Sequence, residues 1–248
     1  MITKHLQSIY KAILVLALLM TPVSHLFAQE IKNNKVLFVI SSDDRGYWLP
    51  EVVEPYFILH KAGYEIDVAS PRGGKGTKRG TGRMTNSLTK WLENSKLNSQ
   101  LNNATLLAQV DTSEYQAVYF AGGAGPMFDF VDNKAVHKVI REIYEAGGLI
   151  AADCHGPAAL INVTLSNGKL LIAGRNITAK ANDEEGWWAR ANYPYLLEDK
   201  IKELGGNFSA ANKGQPHVVV DGQLITGQNP ASATLVAEKM LVSLSTAL

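Results

Sequence analysis

The chain has 248 residues, 46% hydrophobic and 19% charged, which is ample to bury the core of one α/β domain. Its formal net charge of +1 excludes the electrostatic case for nucleic acid or an anionic membrane as partner. The single cysteine, Cys154, excludes an internal disulfide.

The first 28 residues read as a secretory leader. Lys4 and Lys11 flank its start, and Ala28 closes a stretch rich in small and turn-forming residues. Its apolar centre at 12–20 is about nine residues, far short of the roughly 20 that span a bilayer. Cleavage after Ala28, export to the periplasm or the exterior, and one domain over 29–248 with no membrane attachment are expected.

Residues 36–40 are continuously apolar and β-branched-rich, as in a strand buried on both faces of a parallel sheet. A helix is expected over 47–62, with Pro50 in its first turn, Pro55 kinking or interrupting it and Gly63 ending it. Residues 65–70 make a second strand. In 72–110 the basic residues Lys75, Lys78, Arg79 and Arg83 lie among glycines without the spacing of a phosphate loop, so a solvated loop is expected. Part of 88–107 is expected to be helical.

A third strand at 117–121 runs into Gly122-Gly-Ala-Gly125, where the backbone can turn sharply and present N–H groups. A helix over 133–146 and a fourth strand over 148–152 follow. Residues 170–173 and 176–178 suggest further strands, 195–204 a helix, 217–226 a hairpin turning at Asp221-Gly222, and 231–244 a closing helix. Alternating strands and helices predict a three-layer α/β/α sandwich with a mostly parallel sheet. Ligands in such folds sit beyond the carboxyl ends of the strands.

Cys154 stands at the end of the fourth strand, His155 follows at once, and Gly156-Pro157 read as the opening of a helix. This is the layout of a nucleophile elbow with a thiol as nucleophile. A helix N-terminus at this place would lower the thiol pKa. A lone cysteine is more often a small buried hydrophobe, and Glu51 taken alone is an ordinary surface acid. Being neighbours in sequence does not by itself bring Cys154 and His155 into contact, since side chains diverge at a turn.

Several ordered motifs resemble the DJ-1/PfpI family of the class I glutamine amidotransferase-like superfamily, in its Hsp31-like, glutathione-independent glyoxalase branch. They include Gly46-Tyr-Trp-Leu-Pro-Glu51, Ala69-Ser-Pro-Arg-Gly-Gly74, Ala152-Asp-Cys-His-Gly-Pro-Ala158, Asn182-Asp-Glu-Glu185 and Asp221-Gly-Gln-Leu-Ile-Thr-Gly227. The resemblance implies a flavodoxin-like fold and a homodimer. It implies Cys154 as nucleophile, Glu51 as the acid reaching it, His155 as proton carrier and Glu185 as the acid orienting His155. Backbone N–H groups of Gly122, Gly123 and His155 would form an oxyanion hole. No cofactor and no metal are implied. The sequence departs from the family pattern at Ala124, where relatives carry His, and at Lys180, where an aromatic is common.

The expected substrate is a small reactive dicarbonyl such as methylglyoxal, converted with one water to a 2-hydroxy acid, or its adducts on proteins. The competing readings are a chaperone-like or redox-sensing module, a peptidase, and glutamine hydrolysis. The last would need a downstream His-x-Glu pair, and His217-Val-Val219 has no Glu.

Overall fold

The computed structural model describes residues 34–246, so the expected leader at 1–28 lies outside the described residues. Strand β1 (Lys35–Val39) lies inside a seven-stranded sheet with a strand on either side, and both of its faces are apolar. Beside it run β3 (Glu65–Ser70) and β6 (Ala117–Phe120), both parallel to it, with Phe38 opposite Val68 and Tyr119. Strand β7 (Leu149–Asp153) extends the sheet beyond β6, and β11 (Leu224–Gly227) pairs parallel with β7. Strand β10 (Val218–Asp221) closes that edge antiparallel, and β5 (Thr105–Leu106) closes the other.

The alternation along β1 divides the core. Leu37 and Val39 pack on one side with Val136, Val139, Ile140 and Ile143 of α5 (Lys134–Glu145). Those four positions are a helical stripe, and Asn133 caps the helix by accepting from the N–H groups of Ala135 and Val136. Val36, Phe38 and Ile40 pack on the other side with α1 (Pro50–Lys61) and α8 (Ala233–Thr246), through Val52, Leu59, Val236 and Met240. This is the expected three-layer, flavodoxin-like architecture.

The departures from expectation are local. The first helix begins at Pro50, because Tyr47–Trp48 forms a short strand, β2, paired with β4 (Lys78–Arg79). The basic segment is therefore partly a strand rather than only a solvated loop. Helix α1 runs through Pro55 without interruption. Proline deprives the carbonyl of Glu51, four residues earlier, of its helical donor, and the Tyr119 hydroxyl supplies one from 2.7 Å. Residues 86–102 form two short helices, α2 (Asn86–Glu93) and α3 (Lys96–Asn102).

Leu170 makes only an isolated bridge to Thr164 and residues 171–173 form a turn rather than a strand, and Asn176–Ile177 (β8) pairs outside the main sheet with Asn207–Phe208 (β9). The helix that Gly156-Pro157 open after Cys154 is a five-residue 3-10 helix, Gly156–Leu160.

Candidate active site

Sheet order reverses between β1 and β6: the chain goes from β1 outward to β3 and β5, then returns to β6 and β7 on the other side. The loops at the carboxyl ends of β1, β6 and β7 therefore meet over the sheet, where open α/β folds bind ligands. A cavity of about 490 Å³ opens there, with Arg45, Gly123, Ala124, Cys154 and His155 contributed by those three loops. Trp48 and Trp188 add apolar walls, and Glu51, Arg79 and Lys180 complete the polar lining.

Cys154 is held in a left-handed backbone conformation, φ +54°, which costs an L-residue about 1–2 kcal/mol. Neighbours hold it there: its N–H donates to Gly227 at 3.0 Å, and its carbonyl accepts from Lys180 N–H at 2.8 Å. Gly156 packs so tightly under the elbow that a Cβ there would overlap the Phe120 carbonyl. The turn brings Sγ to 3.6 Å from Nδ1 of His155, so the two sequence neighbours do touch. On the far side of the ring, Nε2 lies 2.8 Å from Oε1 of Glu185, and both side chains are buried. With Nε2–H donated to Glu185, Nδ1 is left as an acceptor facing the thiol. Tyr193 packs edge-on against the imidazole, 5.2 Å between ring centres, and fixes its plane.

Glu51, in the first turn of α1, is fully buried and lies against the Cys154 thiol. Gly122 is what lets them meet, since a Cβ there would overlap Glu51 Oε2 and come to 2.7 Å from Cys154 Cβ. Burial pushes the Glu51 carboxyl well above the usual range. Neither Glu51 oxygen has a partner in conventional hydrogen-bond geometry. A neutral carboxyl so placed is a donor directed at sulfur. It gains a full acceptor only when the thiol becomes a thiolate.

The thiol itself is not pre-ionised. Burial pushes Cys154 well above its ordinary value, with Lys180 opposing. This corrects the lowered thiol pKa expected from a helix N-terminus, because the 3-10 turn has too few aligned peptides to outweigh burial.

Behind the site lies a pair that sequence reasoning missed. Asp153 and Tyr119 are fully buried, and the Tyr119 hydroxyl touches both the Glu51 carbonyl (2.7 Å) and Asp153 Oδ1 (2.8 Å). A phenol has one proton. If it goes to the Glu51 carbonyl, which Pro55 leaves unserved, Asp153 must be the donor in the other bond. That requires a neutral Asp153, and burial raises its pKa strongly in the same direction. The signal in the sequence was an acid ending the otherwise apolar run 149–152.

The backbone N–H groups of Gly123 and His155 border the cavity and donate to no acceptor among the described residues. The N–H of Gly122 instead turns toward the carboxyls of Glu51 and Asp153. Lys180 pairs with Glu184 at 2.8 Å, and Glu184 is held in turn by Asn229 Nδ2 and Gly214 N–H. His217, the candidate base for glutamine hydrolysis, is engaged by Ser209 at 2.9 Å, not by Cys154. No group of three or more metal-ligating side chains occurs among the described residues.

A parallel α/β sandwich with a cysteine on a strained elbow and a buried acid beneath it defines the class, and the match of residues 34–243 to the DJ-1/PfpI family places the chain in that family. It is 28% identical over 211 residues to the glutathione-independent glyoxalase HSP31 of Saccharomyces cerevisiae, covering 80% of this chain and 89% of that one. The structure of glyoxalase III from Candida albicans superposes with a TM-score of 0.77 at 26% identity, covering 84% of this chain and 96% of that one. The Rapid Encystment Protein 24 KDa of Francisella tularensis superposes at 0.80 with 36% identity, over 85% of this chain and 98% of that one.

Proposed function

We propose that the protein is a cofactor-independent enzyme that converts small 2-oxoaldehydes such as methylglyoxal into 2-hydroxy acids. The observation that carries this reading is the alignment of Cys154 Sγ, His155 and Glu185, with the neutral Glu51 carboxyl on the other side of the thiol. The relatives named glyoxalases agree with it.

His155 Nδ1 takes the thiol proton as Sγ forms a bond to the aldehyde carbon, and Glu185 stabilises the imidazolium. Glu51 donates toward the developing thiolate, and the N–H groups of Gly123 and His155 meet the oxygen that gains charge. Imidazolium then protonates that oxygen, giving a hemithioacetal. His155 next removes the proton from the former aldehyde carbon, and the adjacent keto carbon becomes protonated through an enediol. The product is a 2-hydroxyacyl thioester. Water cleaves its C–S bond, releasing the 2-hydroxy acid and restoring the thiol. For methylglyoxal, one water is consumed and lactate with one proton is formed, with no external oxidant or reductant. The same addition to carbonyl adducts on protein side chains is the deglycase form of this proposal.

The test is lactate formation from methylglyoxal by wild type, Cys154→Ala, Glu51→Gln and Glu185→Ala. Loss of at least a thousandfold in Cys154→Ala, with intermediate losses in the other two, is expected. Wild-type levels of lactate from Cys154→Ala would sink the mechanism.

A further inference from the structure

The cavity is several times larger than methylglyoxal requires, and its charges are not balanced. Lys180 has Glu184 as its counter-charge, Arg45 has Asp43 at 3.0 Å, and His155 has Glu185. Arg79 is the lining cation without a carboxylate partner among the described residues.

It is nevertheless a positioned side chain. Its backbone is fixed in β4 opposite Trp48, and its carbonyl accepts from Leu49 N–H at 2.9 Å. The Nε–H donates to the Arg45 carbonyl and Nη2 to the Asp44 carbonyl, each at 3.0 Å. A guanidinium has five N–H donors, so these two bonds orient the fork and leave the remaining donors for a ligand. The indole of Trp48 lies flat against Gly80, where a Cβ would come to 2.6 Å from the ring, and this keeps an apolar wall beside the guanidinium. Arg79 is exposed at the cavity rim, so an incoming anion can reach its free donors.

We propose that the physiological substrate is a 2-oxoaldehyde carrying an anionic group, carboxylate or phosphate, which Arg79 binds while Cys154 attacks the aldehyde. This rests on the dicarbonyl reading above and makes Arg79 a specificity-determining residue. The chemistry is unchanged. With 4,5-dioxopentanoate, Sγ bonds to the aldehyde carbon, the proton shifts to the keto carbon, and water cleaves the thioester. The product is 2-hydroxyglutarate, formed with uptake of one water and release of one proton.

The experiment compares kcat/KM for 4,5-dioxopentanoate with that for its neutral counterpart 2-oxohexanal, in wild type, Arg79→Gln and Arg79→Lys. In parallel, glutarate and glycerol 3-phosphate are titrated against the fluorescence of the cavity tryptophans. The expected result is at least a tenfold preference for the anionic aldehyde, falling at least tenfold in Arg79→Gln and only partly in Arg79→Lys. Saturable binding of one of the two anions, weakened by salt and lost in Arg79→Gln, should accompany it. Which anion binds separates carboxylate from phosphate.

Turnover of both aldehydes without preference overturns the anion proposal and leaves the dicarbonyl reading standing. Turnover of neither rejects the dicarbonyl reading, and recognition of an anion by Arg79 then stands or falls on the titrations. Equal binding by wild type and Arg79→Gln overturns it.

Discussion

Removing the Tyr119 hydroxyl should expose the debt left by Pro55, and restoring a backbone donor should repay part of it. In α1 the carbonyl of Glu51 has no helical donor because residue 55 is proline, and Tyr119 donates to it from 2.7 Å. Tyr119→Phe strands a buried carbonyl and removes the contact to Asp153, at a cost of about 1–3 kcal/mol. In this protein each kcal/mol corresponds to a fall in Tm of about 2–4 °C. Pro55→Ala provides the missing N–H, so in the Tyr119→Phe background it should recover about 1 kcal/mol more than it does in wild type. Recovery is partial because the alanine does nothing for Asp153. The assay is a double-mutant cycle by urea unfolding with unchanged slopes. The cycle cancels the effect of proline on the unfolded chain. Additive energies, within a few tenths of a kcal/mol, would refute the claim that Tyr119 replaces a helical hydrogen bond.

Two further outcomes follow from the geometry of the loops. Cys154→Gly should be more stable than Cys154→Ala by about 1 kcal/mol in thermal unfolding, because glycine alone is unstrained at φ +54°; equal Tm values would show that the elbow stores no strain. Asp129 accepts from Ser41 Oγ and from the N–H groups of Ser42 and Asp43, and burial pushes its carboxyl up to about 6. A carboxyl raised in the folded state stabilises most when protonated. Its contribution is full below about pH 4 and is lost as the pH rises through 6, by about 3 kcal/mol in all. Asp129→Asn should remove that part of the pH slope in unfolding free energy, and a slope identical to wild type would contradict the assignment.

The DJ-1/PfpI membership and the glycine-rich turn depended on local signals. A strand buried on both faces is apolar without interruption, so 36–40, 117–121 and 148–152 were legible from composition alone. The same holds for the stripe of α5 and for the turn at Asp221-Gly222, since side-chain periodicity and backbone preference are properties of short segments. The place of Cys154 at a strand's carboxyl end followed from its position just after 148–152, while the order of the strands is a property of the folded sheet.

The electrostatics of the site were decided by tertiary contact. Cys154, with its neighbour Pro157, pointed to a helix dipole and a lowered thiol pKa; burial in the folded chain raises it instead, and the base aimed at it is the adjacent His155. No local pattern reveals that Pro55 frees the carbonyl that Tyr119 serves, 64 residues further along the chain, or that the same hydroxyl reaches the buried Asp153. Arg79 likewise reads as one more solvated base until β4 pairs with β2 and turns it onto the cavity. Sequence determined which residues could form strand, turn and nucleophile, because those choices rest on each residue's own shape and hydropathy. Tertiary structure decided which of them carry a charge, because a proton's place depends on burial and on neighbours that the chain brings together only when folded.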